Sequence, residues 1–294
     1  MTFLSSLSQP RQLILDGATG TELHRRGVDT GLPLWSANAL LHERDARVLQ
    51  DIHEDYLRAG ADIITTNTFR THRRALAPSG HAGRALELTR RAVNIARAAI
   101  VSVHADSTTL LAGSISTLED CYRPDRVPSD AELHAEHAER IRHLSECGVD
   151  VMLIETINAI REAVIVATLA AGTGTPVVVS FACNREGKIL SGETLTDAAH
   201  QLLPLGIAAI GVNCGPTSML ATPLAELRLA CGRDFPLIAY GNIGYADEEV
   251  GWVNTDSQGP REYCEHAARW DVHIVGGCCG TTPQHIAALT SIRR

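Results

Sequence analysis

The sequence predicts an α/β chain closed into a (β/α)8 TIM barrel, a single domain over residues 1–294, and three observations carry that expectation. Eight short apolar runs recur along the chain, seven of them separated by segments of helical periodicity; parallel strands with helices outside bury such runs on both faces. The 294 residues approach the length of about 250 usual for that barrel. No complete GxGxxG follows the first run, which weakens the runner-up, an open doubly wound sheet. Gly172-Thr173-Gly174 lacks a third glycine, and Gly280-Thr281-Thr282 lacks the lysine of a Walker-type phosphate loop.

Composition narrows the class further. With 45% hydrophobic and 20% charged residues the chain has the material for a packed core. A net charge of −8 offers no electrostatic footprint for nucleic acid or an anionic membrane, and no apolar stretch reaches transmembrane length. Residues 1–10 lack the basic segment of a secretory signal, so a cytoplasmic location is expected. In that reducing compartment the eight cysteines read as metal ligands, nucleophiles or packing rather than disulfides.

Taken in order, Leu13-Ile14-Leu15 is the first strand and runs into Asp16-Gly17-Ala18-Thr19-Gly20. Val48, Leu49, Ile52, Tyr56 and Leu57 share one face of a helix over 45–59, which Gly60 ends. Residues 62–66 form the second strand, 83–101 a helix, and 109–112 the start of the third strand. Ser129 and Glu132 have capping-box spacing before a helix that carries Leu133, His137, Ile141 and Leu144. His134, His137 and His143 read as its solvated face. Gly148 closes this helix, and 149–154 form a fourth strand ending at Glu155-Thr156. Asn158 caps a helix to Ala171; strands at 176–181, 208–213 and 236–240 follow, with helices at 196–203 and 220–230 between them. The last run, Val272 to Val275, climbs into Gly276-Gly277-Cys278-Cys279-Gly280, after which Thr282 and Pro283 open a helix as N-cap and first residue.

The strand C-termini of such a barrel converge on the face where chemistry sits. They carry Asp16, Asn67, Ser114, Glu155, Phe181, Asn213, Cys214, Asn242, Cys278 and Cys279, an unusually polar set. Neighbouring residues on extended chain point to opposite faces, so Cys278 and Cys279 address one site only if the chain turns there, and the flanking glycines permit a turn. With Cys214 they make three thiols, one short of a tetrahedral zinc shell, which is the arrangement of a catalytic zinc with an open position. A vicinal disulfide or plain packing of the adjacent pair is the alternative. Cys121, Cys147, Cys183, Cys231 and Cys264 read as core or incidental, as free cysteines commonly are. Asp16 can form an Asx-turn with its glycine, and Ser114 and Asn242 read as loop hydrogen-bonders. Glu155 is harder to explain, because a carboxylate on a buried strand end is costly unless paired.

Asp16-Gly17-Ala18-Thr19-Gly20-Thr21-Glu22, Thr66-Asn67-Thr68-Phe69, Glu155-Thr156, Gly211-Val212-Asn213-Cys214 and Gly276-Gly277-Cys278-Cys279-Gly280-Thr281 together resemble the homocysteine S-methyltransferase family, from the first strand to the last helix. The resemblance implies that Cys214, Cys278 and Cys279 hold Zn2+ and that the sulfur of homocysteine takes the fourth position. It implies that Asp16 and Glu155 engage the amino group, that backbone N–H groups around Gly17 take the carboxylate, and that Asn67, Asn213 and Phe181 line the substrate site. An alkyl thiol with a pKa of about 8.5 is mostly protonated at neutral pH, whereas a metal-bound thiol is deprotonated, so the assignment is chemically coherent.

The resemblance leaves the methyl donor open. Asp51-Ile52-His53-Glu54-Asp55-Tyr56 fails the DxHxxG signature of a corrinoid module, since tyrosine stands where glycine is needed. At 4% aromatic the chain is poor in rings for a large quaternary-ammonium cage of the betaine-dependent kind. Leu34-Trp35-Ser36-Ala37 resembles S-methylmethionine-using members, while Thr66-Asn67-Thr68-Phe69 is more similar to cobalamin-dependent ones. The expectation is a methylsulfonium, with Trp35 and Phe69 on the donor side. A betaine- or corrinoid-linked enzyme, a non-catalytic zinc- or thiol-binding barrel, and a zinc hydrolase are the competing readings; the last prefers histidine and carboxylate ligands, which this set lacks.

Overall fold

The computed structural model describes residues 2–105, 107–243, 245–247, 251–253 and 258–294, with main chain alone for 245–247 and 251–253. Its strands are β1 (Leu13–Ile14), β2 (Ile63–Thr65), β3 (Leu110–Ile115), β4 (Val151–Ile157), β5 (Val177–Phe181), β6 (Ala209–Pro216), β7 (Leu237–Asn242), β8 (Tyr245–Asp247), β9 (Gly251–Val253) and β10 (Ile274–Gly277). All but β8 and β9 lie in one parallel sheet of order β1-β10-β7-β6-β5-β4-β3-β2, and β8 pairs with β9 as a separate antiparallel hairpin. The sheet's two edges meet. Leu15 bridges Ile63 in parallel, Asp16 N–H donates to the Ile63 carbonyl at 3.0 Å, and Asp62 N–H donates to the Ile14 carbonyl at 2.7 Å. The result is the TIM barrel that the alternating apolar runs predict.

Strand alternation sorts side chains into two layers. Leu13, Leu15, Ile63, Leu153, Val178 and Ile274 belong to the barrel's interior cluster, which Phe3 and Leu7 of α1 (Phe3–Leu7) join from the end where the strands begin. Ile14, Ile64, Met152, Val179, Val212 and Val275 face the other way, into the layer shared with the helices. That outer layer comprises α2 (Gly20–Arg25), α3 (Glu43–Arg58), α4 (Arg73–Leu76), α5 (Ala85–Ser102), α6 (Asp130–Cys147), α7 (Ile160–Ala171), α8 (Leu195–Leu202), α9 (Ala221–Cys231), α10 (Pro260–Ala267) and α11 (Pro283–Ser291). Helix α6 begins as its capping-box spacing predicts: the Glu132 carboxylate accepts the Ser129 N–H at 3.1 Å and the hydroxyl at 2.6 Å. It ends on Gly148 in the left-handed conformation (φ 68°).

The structure corrects several local expectations. Between the last two barrel strands it adds the hairpin and α10, which the sequence reading passes over. Asn158 does not cap α7; its amide instead donates to the Asp120 carbonyl at 3.2 Å, and Ala159 holds the N-cap position. Of the three α6 histidines only His134 is solvated as expected. His137 is fully buried, with Nε2 2.9 Å from Oε1 of an equally buried Glu162 on α7, and His143 is buried too. A carboxylate on the neighbouring helix, invisible to spacing within α6, is what makes burial of His137 tolerable.

Candidate active site

The C-terminal ends of β1, β4, β6 and β10 bring together the residues singled out from the sequence. Strand β10 stops at Gly277, and Cys278 and Cys279 stand in the turn that follows, with Gly280 at φ 84°. The turn is pinned from two sides: Thr281 donates its hydroxyl to the Cys278 carbonyl at 2.7 Å, and Gly280 N–H donates to the Thr21 hydroxyl at 2.9 Å. Cys214 arrives on a different device. The register of β6 against β7 shifts between Asn213 and Pro216, and Cys214 itself sits at φ 56°. A bulge at a barrel rim re-aims the side chain it carries, and a non-glycine residue at positive φ persists only where its surroundings hold it.

The outcome is a cluster in which the sulfurs of Cys214, Cys278 and Cys279 lie within 4.8 Å of one another, with Cys214 and Cys279 4.0 Å apart. All eight cysteines are free, which disposes of the vicinal disulfide. Sulfurs at about 2.3 Å from a tetrahedral zinc stand about 3.8 Å apart, so the spacing suits a shared metal ion. Charge points the same way. Hydrogen bonds from Cys278 and Cys279 hold the Cys214 thiol well below its usual range, while those two thiols are held well above theirs. A divalent metal would favour the thiolate form of all three.

Two buried carboxylates stand at the same barrel mouth, Asp16 after β1, the neighbour of β10, and Glu155 near the end of β4. Asp16 accepts the Thr65 N–H and hydroxyl, each at 2.8 Å, rather than forming the Asx-turn that is the alternative reading. Glu155 accepts the Ser114 hydroxyl at 2.5 Å and the Tyr240 hydroxyl at 3.1 Å. Ser114 is therefore a partner of Glu155 and not a loop-former. Burial pushes Glu155 up to about 7 and Asp16 up to about 8, and the nearby Glu155 charge adds to the rise at Asp16. Each carboxylate keeps lone-pair directions beyond its two protein donors, and each would gain from a cation between them.

Asn213 ties the two walls together. Its side-chain carbonyl accepts the Thr156 N–H at 3.0 Å and the Ser180 hydroxyl at 2.8 Å, and its amide donates to the Thr156 hydroxyl at 2.8 Å. Thr156 is at φ 57°, in the register shift that β4 makes against β5 directly after Glu155. One fully buried amide thus fixes the backbone beside Glu155 from the residue next to Cys214. Three of the four non-glycine residues at positive φ are Trp35, Thr156 and Cys214, so strain collects at this mouth among the described residues.

The remaining predicted residues fall into distinct places. Gly17 lies against Tyr56, whose ring is 2.7 Å from where a Cβ would stand, and the Tyr56 hydroxyl donates to the Ala18 carbonyl at 2.8 Å. The neighbouring Ala18 N–H donates to the Thr281 hydroxyl at 3.2 Å and so already has a partner. Asn67 is buried and donates its amide to the Ser36 carbonyl at 2.8 Å, which fixes the segment carrying the half-buried Trp35. Phe69 is half-buried, whereas Phe181 is fully buried in the outer core and presents no surface at the mouth. Sequence reasoning missed Thr65, Tyr240 and Tyr122. The signal for Tyr240 was available, since it shares strand parity with Ile238 and so points into the barrel.

The chain matches the homocysteine S-methyltransferase family over residues 13–292. It is 32% identical to the homocysteine S-methyltransferase YbgG of Bacillus subtilis (strain 168), over 96% of this chain and 94% of that protein. It is 28% identical to a selenocysteine Se-methyltransferase of Brassica oleracea var. italica, over 94% of this chain and 87% of that one. The structure superposes on the metallated form of the homocysteine methyltransferase MmuM from Escherichia coli with a TM-score of 0.85 at 27% identity, covering 98% of both chains. The chain belongs to the homocysteine S-methyltransferase family.

Proposed function

We propose that this member of the family transfers a methyl group to the sulfur of homocysteine, giving methionine, with Zn2+ held by Cys214, Cys278 and Cys279 and a methylsulfonium such as S-methylmethionine as donor. The observation that carries the reading is the pairing, at one barrel mouth, of three sulfurs within 4.8 Å with two buried carboxylates raised toward neutrality. An amino acid that ends in a thiol is complementary to both walls at once.

Zinc held there supplies deprotonation of the acceptor thiol and a fixed place for its sulfur. The chain's own residues supply the rest. Asp16 and Glu155, each locked in one orientation by two donors, grip the ammonium and aim the sulfur away from themselves. Main-chain N–H groups of the turn at Gly17 receive the carboxylate, with Tyr56 and Thr281 holding that turn in place. Trp35 and Phe69 face the donor. Attack of the acceptor sulfur forms one S–CH3 bond and breaks another, and the electron pair of the broken bond leaves on a neutral thioether. Such charge annihilation needs few polar groups around the donor, in keeping with a chain only 4% aromatic and a donor contacted by one or two rings.

The test supplies purified protein with homocysteine and, in turn, S-methylmethionine, betaine and methyltetrahydrofolate, with and without cobalamin, and follows methionine. Turnover with the sulfonium alone supports the reading. Turnover only with betaine, or only with cobalamin, reassigns the donor and leaves the sulfur chemistry standing. Metal and homocysteine binding without turnover on any donor marks a non-catalytic barrel.

A further inference from the structure

The long connection from β3 to α6 carries a residue that no motif points to. Tyr122 follows the buried Cys121 and reaches across the mouth, where its hydroxyl oxygen stands 3.1 Å from the sulfur of Cys214, ninety-two positions further along the chain. Its side chain remains 38% exposed. The phenol oxygen therefore points at the cluster while part of the ring faces solvent, which makes the ring a roof over this sulfur.

The approach is built from several sides. Tyr122 N–H donates to the Asp120 carboxylate at 2.9 Å, and the Asp120 carbonyl accepts the Asn158 amide at 3.2 Å, from the segment just before α7. Two residues earlier, Leu118 N–H donates to the buried Glu162 carboxylate at 2.9 Å, the same oxygen that meets His137. Glu119 pairs with Arg74 at 2.8 Å. Helices α4, α6 and α7 thus all reach the connection that delivers this one hydroxyl. The buried His137–Glu162 pair, unexplained by anything else at the site, acquires a task as an anchor of that connection.

We propose that Tyr122 is a positioning residue of the methyl-transfer site, its hydroxyl donating a hydrogen bond to the metal-ligating sulfur of Cys214 and its ring restricting access to the cluster. The direction of the bond follows from chemistry: a sulfur that ligates a metal has lost its proton, so the phenol is the partner with one to give. A hydrogen bond to a ligand sulfur draws charge from it and fixes its orientation, and outer partners of this kind commonly contribute about 10–100-fold to metal affinity. The inference rests on the proposed metal site.

The test uses full-length protein carrying Co2+ in place of Zn2+, compared between wild type, Tyr122→Phe and Tyr122→Leu. The wild type should show a sulfur-to-cobalt charge-transfer band. In Tyr122→Phe that band should move to longer wavelength, because a sulfur without its hydrogen bond gives up electron density at lower energy. Competition with a chelator should show metal affinity weakened about tenfold. Tyr122→Leu should show the same spectral shift and, with the roof removed, faster metal loss to the chelator than Tyr122→Phe. A residue that merely packed the loop would leave the Tyr122→Phe band where it is, and an unmoved band overturns the hydrogen-bonding role. Equal rates of metal loss from the two variants overturn the roof. Absence of any charge-transfer band in the wild type overturns the metal site itself, and this inference with it.

Discussion

Asp16 and Glu155 reach the barrel mouth with two protein donors already on each carboxylate, whereas the three sulfurs are held chiefly by one another. The carboxylate wall is buried and the sulfur wall half-buried, and both pay in ionisation: the carboxylates rise toward neutrality, and two of the three thiols rise well above their usual range. The remedies differ. The carboxylate wall is fixed by its protein donors and would gain from the positive charge of an ammonium. The sulfur wall would be held together by the proposed metal ion. A substitution on the first should therefore change affinity by degrees, and one on the second should remove a whole component.

The largest effect is expected from Cys278→Ala or Cys214→Ala. Elemental analysis should find about one metal ion per chain in the wild type, as a three-sulfur site requires, and close to none in either variant. Full metal content in both variants would erase the contrast, because the sulfurs would then be packing residues.

Glu155→Gln should keep its metal and weaken homocysteine by about 1.5–3 kcal/mol, the usual cost of a charge-assisted hydrogen bond, seen as an increased apparent constant for the acceptor. Unchanged acceptor dependence would make Glu155 a structural partner of Ser114 and Tyr240.

Asn213→Ala probes the join between the walls. It leaves the Thr156 N–H and the Ser180 hydroxyl without their acceptor, at a cost to folding of about 1–3 kcal/mol for each buried group left unsatisfied. Thermal or denaturant unfolding measures that loss. The same variant should weaken both metal and acceptor binding, since it releases the backbone on either side. If only one of the two weakens, the walls are independent.

The mildest expected effect is of pH, read with methionine, which has an amino group and no thiol proton. Below about 7 and about 8 respectively, Glu155 and Asp16 carry protons in the ligand-free protein, and pairing with an ammonium requires their release. Methionine affinity should therefore rise as pH increases through that window and level off above it. Calorimetry on wild type and Asp16→Asn would check this, the variant losing the upper part of the rise. A flat profile in the wild type would place the ammonium elsewhere.

The barrel was legible because its signals are local and repeated. Apolar runs such as Val177–Phe181, and a helix end marked by glycine at Gly148, need no knowledge of partners. The three sulfurs and two carboxylates were legible too, because each sits where an apolar strand gives way to polar chain, and strand ends in a closed parallel barrel share one face. The partners were not. Thr65 lies 49 positions from Asp16, Tyr240 lies 85 from Glu155, and Tyr122 lies 92 from Cys214, distances over which spacing carries no information. His137 shows the same limit from the other side: its own helix reads as solvated, and only Glu162 on the next helix makes it a core residue. Sequence by itself determined that the three cysteines and the two carboxylates stand at strand ends, since alternation and strand polarity are properties of the chain alone. Tertiary structure decided which hydroxyl meets which carboxylate, where the backbone adopts the left-handed turns at Thr156 and Cys214, and that a tyrosine covers the sulfur cluster, since those contacts exist only once the strands have closed around one axis.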